Sequence, residues 1–470
     1  MGDRPCRTGS AGAGGIAPTS PRPSPPRGAE REDSEGPSAM TLGFGLCLLA
    51  LFVLAGIGAP IALSMIVAAV VYLALRGQDL GLAAEQIIQG LYDSFILLAV
   101  PLFIVAANIM NAGTISERLL AFCIALVGRF RGGLGHVNVV ASLIFSGMSG
   151  SAVADAAGIG KIVIEMMTRD GRYPPGYAAA ITAASSTIGP IIPPSIPMVM
   201  YALVSDSSIG YLFLGGIVPG LLMGLVLMAM NAWMARRRNF ATDAPVPIRE
   251  LPRLTVRAFP ALLMPVILLY GIYGGATTPT EAAAVAAAYA LVLAALFYRA
   301  LSWRALYDIL AGSARSSAAV GLVIGGALIF NYIVASENIP GRVAGALAGL
   351  EMDPLVFLIA VNVLFLLLGC ILDATTIILV IVPLFVPACR QLGIDLVHFG
   401  VVTVVNVMIG LITPPYGILL FVINATTGIP LRAMIREIGP FLAVLVLALV
   451  VMILWPELVL WLPQQFGYKG

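Results

Sequence analysis

Charge is scarce in this sequence. Asp, Glu, Lys and Arg make up 11% of the 470 residues, against about 25% in soluble domains. That shortage excludes an ordinary soluble globular domain; the net charge of +2 says little by itself, and no nucleic-acid partner is expected. Histidine occurs only at His136 and His398, too far apart for ligand spacing. No H-E-x-x-H and no Walker motif is present, so neither a zinc enzyme nor direct ATP drive is expected. The five cysteines (Cys6, Cys47, Cys123, Cys370, Cys389) form no C-x-x-C pair. Four lie in or beside apolar segments and read as small buried hydrophobes. Strict ten-residue alternation is missing too, which excludes a membrane β-barrel.

Long apolar runs fill the space that charge leaves. Hydrophobic residues make up 59% of the chain, with runs at Phe213–Ala235, Leu355–Leu372 and Phe441–Trp455. Runs of about 18 residues span roughly 30 Å of hydrocarbon as a helix, and lipid leaves helices as the remaining option for the backbone. The expected class is an all-α polytopic membrane protein. Residues 1–39 differ. They hold seven prolines, almost no large apolar residue and no apolar signal-peptide core. They are expected to be a disordered extension or a mis-assigned start, since apolar sequence begins right after Met40.

An internal repeat organises the rest. "IGPIIPP" (Ile188–Pro194) matches "IGLITPP" (Ile409–Pro415) at a shift of 221, "TISER" (Thr114–Arg118) faces "NIPGR" (Asn338–Arg342) at 224, and "GMSGSAVAD" (Gly147–Asp155) aligns with "GCILDATTI" (Gly369–Ile377) at 222. Three matches in one order at a near-constant offset predict a duplication. The halves are 40–235, with a hairpin near 136–165, and 258–465, with a hairpin near 354–388. The joint at 236–257 is rich in Arg and Pro, and 466–470 forms a tail. Lys and Arg favour the cytoplasmic side, which places the connector inside. By the same rule "LVSDSSIGYL" (Leu203–Leu212) is outside and its partner "TTGIPLRAMIRE" (Thr426–Glu437) inside. Equivalent loops on opposite faces predict inverted repeats, each with about five crossings plus a re-entrant hairpin. Arg299, Arg304 and Arg315 fit this scheme poorly and suggest an interfacial helix. Thr278, Pro279 and Glu281 carry a helix-start signature.

The prolines then acquire a purpose. Pro193-Pro194 and Pro414-Pro415 each delete two helix donors, and Gly189 and Gly410 let the chain turn. Backbone groups left bare at membrane depth are tolerated where they are buried in protein or meet a ligand. Carbonyls before each break suit Na⁺, a hard cation, while the helix start after it suits a carboxylate. The hairpin tips add the hydroxyls of Ser146, Ser149 and Ser151, and Asp373 with Thr375 and Thr376. Asp373 reads as an ion ligand or a helix cap. Asp155 reads as an ion ligand, a partner of Lys161, or a hydrogen-bond acceptor within its hairpin.

The segments "GMSGSAVADAAGIGKIVIEMM", "SSTIGPIIPPSIPMVMYA", "ATTPTEAAAVAA", "LGCILDATTIILVIVPLFVP" and "NVMIGLITPPYGILLFV" resemble the large membrane subunit of TRAP transporters, the tripartite ATP-independent periplasmic transporters, over about 41–465. The resemblance implies an elevator-type secondary transporter of the bacterial inner membrane. It implies Na⁺ as coupling ion, a small four-helix membrane subunit, and a periplasmic solute-binding protein that delivers an organic acid. That acid would be a C4-dicarboxylate, a 2-oxoacid, a sugar acid or sialic acid. It further implies one Na⁺ site at Ser149, Ser151, Thr187, Gly189 and Pro190, and a second at Asp373, Thr376, Met408 and Gly410. Substrate would sit near Gly150, Ser195, Thr413 and the turns Pro193-Pro194 and Pro414-Pro415. A stand-alone divalent-anion/Na⁺ symporter-like carboxylate carrier is the alternative. An intramembrane enzyme and a non-transporting scaffold fit less well.

Overall fold

The computed structural model describes residues 42–470 apart from 112–113, 241, 243–246, 300 and 349–351. The expectations for residues 1–39 therefore lie outside the described residues. Among the described residues there are helices and no strands. The first half runs α1 (Leu42–Gly56), α2 (Ile61–Leu75), α3 (Gly81–Asp93), α4 (Ala99–Asn111), α5 (Thr114–Val127), α6 (Gly133–Ser149), α7 (Ala152–Asp155), α8 (Lys161–Thr168), α9 (Pro175–Ser186), α10 (Ile196–Ser205) and α11 (Ile209–Arg237). The second runs α12 (Leu251–Tyr273), α13 (Pro279–Val292), α14 (Trp303–Ser336), α15 (Ile339–Ala348), α16 (Pro354–Gly369), α17 (Ala374–Thr376), α18 (Val382–Gln391), α19 (Leu396–Gly410), α20 (Ile418–Thr427) and α21 (Leu431–Leu454), followed by α22 (Glu457–Gln465). From each hairpin onward the order of elements is the same in both halves, up to α11 and α21. α6 and α16 are each followed by a short helix, then a π-helical segment (Ala156–Gly160 and Ile377–Ile381), then a longer arm.

Among the described residues six helices are long and apolar enough to cross a membrane, or seven if the bent pair α3 and Phe95–Asn111 is one span. That is fewer than about five per half. The reason is local. Breaks divide several apolar stretches into helices of 10–17 residues, each too short to span alone. The sequence "AGIGAPIALSM" is one such break: α1 ends at Gly56 and α2 begins after Pro60, where proline tolerates a helix start but not an interior. The connector is shorter than expected, because α11 continues to Arg237 and α12 begins at Leu251. Arg304 and Arg315 lie on α14 itself, so no separate interfacial helix carries them. The first half departs from the second here, since the stretch before its hairpin bends by 73° between α3 and α4.

α9 and α19 form the centre. Every residue of α9 from Gly176 to Ser186 and of α19 from Val397 to Gly410 is buried. Alanine lets neighbours approach α9 closely, and β-branched valines fill the space around α19. α21 packs on α9, and α16 on α19. Around this centre α2 packs on α14 and α13 on α4, so the first helices of each half cross to the other half. Thr278 and Glu281 complete the expected capping box at α13, with Glu281 N–H donating to Thr278 Oγ1 at 3.3 Å and Thr278 N–H to Glu281 Oε2 at 2.7 Å. Thr278→Ala is expected to cost about 1 kcal/mol, measurable as a lowered Tm with uptake intact.

Candidate functional site

In the first half the hairpin tip is pressed onto the helix break. α6 ends at Gly150, which has φ +58°. A Cβ there would stand 2.4 Å from the Pro194 carbonyl oxygen, so only glycine fits both the conformation and the approach. Ser151 starts the second arm by accepting from Ala154 N–H at 3.3 Å. A Cβ on Gly189 would lie 3.4 Å from the Ser151 carbonyl oxygen, which puts the tip beside the break. Pro193 and Pro194 occupy the positions whose N–H groups a continued helix would offer to Gly189 and Pro190. The Pro190 carbonyl is instead taken by the Ser195 hydroxyl. The carbonyls of Thr187 and Gly189 accept no hydrogen bond among the described residues. The Ser149 hydroxyl is buried and unpartnered, whereas the Ser146 hydroxyl donates to Leu143 O at 2.6 Å.

The second half repeats this plan with a charge added. A Cβ on Gly410 would lie 2.7 Å from Gly369 Cα, so hairpin and break meet glycine to glycine. Asp373 stands where Ser151 stands, at a shift of 222, and also caps its arm. Thr376 N–H donates to Asp373 Oδ2 at 3.1 Å and the Thr376 hydroxyl to Oδ1 at 2.5 Å. The Gly410 carbonyl accepts from Thr413 N–H at 3.0 Å, while that of Met408 accepts nothing among the described residues. Pro193 and Pro194 are buried, but Pro414 is half-buried and Pro415 exposed. Both Pro-Pro bonds are cis.

One cavity of about 410 Å³ joins the two halves. Ser149, Gly150, Ser151 and Pro190 line it from the first half, and Asp373, Thr375 and Met408 from the second. The starts of α10 and α20 reach it at Ile196 and Ile418. Together with the two hairpin arms, four helix starts converge there, each with unsatisfied N–H groups. Thr187, Gly189, Thr376 and Gly410 are not among the lining residues. Pro193, Pro194, Ser195, Thr413, Pro414 and Pro415 do not line it. Ser195 caps α10 through Met198 N–H at 3.2 Å, and Thr413 donates to Ile409 O at 2.8 Å. Asn108 on α4 and Ser316 on α14 do line it. Neither stood out in the sequence, where Asn108 is a single amide in an apolar stretch and Ser316 lies among Ser313, Arg315 and Ser317. Asp373 is the one charged residue lining the cavity among the described residues.

Asp155 lies outside this lining, in the hairpin interior. It is 1% exposed and accepts from the Ser142 hydroxyl at 2.8 Å. Ser142 and Ser185 are 3.1 Å apart, and Asn138 donates to Thr182 at 2.5 Å. Lys161 faces Glu165 at 4.0 Å, so the hairpin hydrogen bond, not Lys161, is the partner of Asp155. Its other oxygen, Oδ1, is buried with no partner among the described residues.

Long apolar helices, two hairpins and two helix breaks around one cavity mark a multi-pass membrane protein of the permease class. The family model described as "Tripartite ATP-independent periplasmic transporter, DctM component" matches residues 48–458, and the chain belongs to that family, as the large permease subunit of a TRAP transporter. It is a multi-pass protein of the bacterial inner membrane. The chain is 42% identical to the sialic acid TRAP transporter large permease SiaM of Vibrio cholerae, over 87% of this chain and 96% of that one. It is 40% identical to the C4-dicarboxylate large permease DctM of Pseudomonas aeruginosa, over 80% and 88%. It is 37% identical to the 2,3-diketo-L-gulonate large permease YiaN of Escherichia coli, over 86% and 95%. The YdaH transporter of Alcanivorax borkumensis shares the fold with a TM-score of 0.57 at 15% identity, over 80% of this chain and 87% of that one.

Proposed function

We propose that the chain imports an organic acid together with Na⁺, receiving the acid from a periplasmic solute-binding protein and working beside a small four-helix membrane subunit. The observation that carries this reading is the set of bare oxygens at the hairpin tips and helix breaks. The carbonyls of Thr187, Gly189 and Met408 and the hydroxyl of Ser149 have no partner among the described residues. Buried polar groups without partners are costly, and hard oxygen donors are what an alkali cation takes. Ser149, Ser151, Thr187, Gly189 and Pro190 would hold one Na⁺. Asp373, Thr376, Met408 and Gly410 would hold a second. Asp155 offers its unpartnered oxygen to a further cation.

The charge of the cavity explains why acid and Na⁺ travel together. An organic anion entering it meets Asp373 and no cationic side chain among the described residues. Bound Na⁺ reverses that local repulsion, and the four helix starts then favour the carboxylate. The energetics suit two ions. A thousandfold gradient of solute costs about 4.1 kcal/mol, and one charge moving through 100 mV supplies about 2.3 kcal/mol. The inverted arrangement of the halves provides the alternation. In this reading the hairpins and broken helices move as one body against α2, α4, α13 and α14, an elevator motion.

The relatives' names point to acids of different size, from C4-dicarboxylates to sialic acid. The test is a panel of radiolabelled N-acetylneuraminate, succinate and 2,3-diketo-L-gulonate, offered to proteoliposomes that hold the chain and its small subunit. Uptake of one acid is expected, and only with the cognate binding protein present. Equal uptake without that protein would favour a stand-alone carrier.

A further inference from the structure

Two acids are buried among the described residues, Glu337 and Asp155. Glu337 finds its countercharge inside the protein. Arg76 reaches its carboxylate at 2.5 Å, and the Tyr72 hydroxyl donates to it at 2.7 Å. Asp155 pairs with no cationic side chain among the described residues. A carboxylate taken out of water without a countercharge is costly, and an acid at membrane depth marks an ion site or an ion path. What surrounds Asp155 is oxygen. The Ser142 hydroxyl of α6 bonds its Oδ2 at 2.8 Å. The Ser186 hydroxyl, at the end of α9, faces the same carboxylate without bonding to it. Ser186 is fully buried, and its oxygen, like Asp155 Oδ1, has no partner among the described residues. A hydroxyl can turn its hydrogen away and present a lone pair, so all three side chains can serve a cation. Hard oxygen donors suit Na⁺. One carboxylate balances one positive charge, whereas a divalent ion would leave a charge over. The second half has no counterpart. At the repeat's shifts of 222 for the hairpin and 221 for the break, Ser142, Asp155 and Ser186 become Leu364, Ile377 and Val407.

We propose that Asp155, Ser186 and Ser142 hold a third Na⁺, inside the first hairpin and apart from the substrate cavity. The inference rests on the Na⁺-coupled reading given above and supplies its further cation with a ligand set. None of the three residues lines the cavity, so this ion acts on the acid through the protein rather than by contact. Its place shows how. Asp155 N–H donates to the Ser151 carbonyl at 3.1 Å, and Ser186 immediately precedes Thr187. An ion between Asp155 and Ser186 therefore draws the hairpin arm onto α9, directly behind the proposed first Na⁺ site. The lack of a counterpart in the second half makes the number of ions odd. Three Na⁺ with a dianion carry one net positive charge inward, and the membrane potential then drives an import that two Na⁺ would leave electroneutral.

The test counts radiolabelled Na⁺ bound at equilibrium to the full chain with its small subunit, purified in detergent. The parent is expected to bind three ions per chain. Asp155→Asn keeps the shape and an acceptor oxygen but removes the charge, and should bind two. Asp373→Asn should also bind two, and the double variant one. Ser186→Ala removes one neutral oxygen and should weaken a single ion about tenfold, as for one bond to a charged group. A parent count of two, or a count that Asp155→Asn leaves at three while Asp373→Asn loses one, would overturn the proposal. A proton on Asp155 in place of Na⁺ gives the first of these results. The parent count decides the case even where Asp155→Asn does not fold. Uptake of the acid panel by the parent in proteoliposomes is scored in parallel. Uptake with a parent count of two removes the third site alone, while the expected counts without uptake keep it and remove the organic acid reading.

Discussion

Gly410→Ala is expected to abolish most uptake while leaving a folded protein in the membrane. The added methyl would stand 2.7 Å from Gly369 Cα, 2.9 Å from its carbonyl carbon and 3.1 Å from its oxygen. All three are backbone atoms, so no side chain can swing aside. The end of α16 must separate from the end of α19, at a cost of about 1–3 kcal/mol for overpacking. The same movement carries the Met408 carbonyl away from the hairpin tip at Asp373. Ion ligands displaced by about 1 Å lose their shared geometry, and a loss of uptake on the order of 10- to 100-fold follows. Gly312→Ala is the control, because nothing lies within 4 Å of a Cβ there. Uptake at the parent rate by Gly410→Ala, with both variants monodisperse in detergent, would show that the contact of hairpin and break does not matter.

Asp373→Asn separates the ligand role of this residue from its capping role. Asparagine caps helices about as well as aspartate, so its oxygen can still accept from Thr376 N–H and the hairpin should fold. What disappears is the one charge lining the cavity among the described residues. A unit charge about 4 Å from a cation contributes a few kcal/mol at an effective dielectric near 20. The Na⁺ concentration for half-maximal uptake should therefore rise on the order of 100-fold. A readout independent of transport exists as well. Na⁺ that binds the folded state raises Tm by mass action, and that rise should shrink in the variant. An unchanged Na⁺ response in both measurements would leave Asp373 as a cap and nothing more.

Much of this architecture was legible in the sequence because proline and glycine act locally. Pro193-Pro194 and Pro414-Pro415 broke α9 from α10 and α19 from α20 through missing N–H groups, which no neighbour could restore. The Thr278–Glu281 box was equally local. The use of each hydroxyl was not. Ser195 stands beside a break like a ligand, yet Met198 N–H and the Pro190 carbonyl engage it. Thr413 turns its hydroxyl back onto its own helix. Ser149 remains without a partner among the described residues, a fact of packing rather than of pattern. The π segments have no sequence signature either. Asn108 passed as an ordinary polar residue, because its place at the cavity depends on which helices meet there.

The most direct test of bare main-chain oxygens as a Na⁺ site is uptake of the imported acid by proteoliposomes, under an inward Na⁺ gradient and under an equal K⁺ gradient. The chain, its small subunit and the binding protein are present in both. Uptake that appears with Na⁺ and falls to background with K⁺ is the predicted result. Equal uptake in the two media would contradict it.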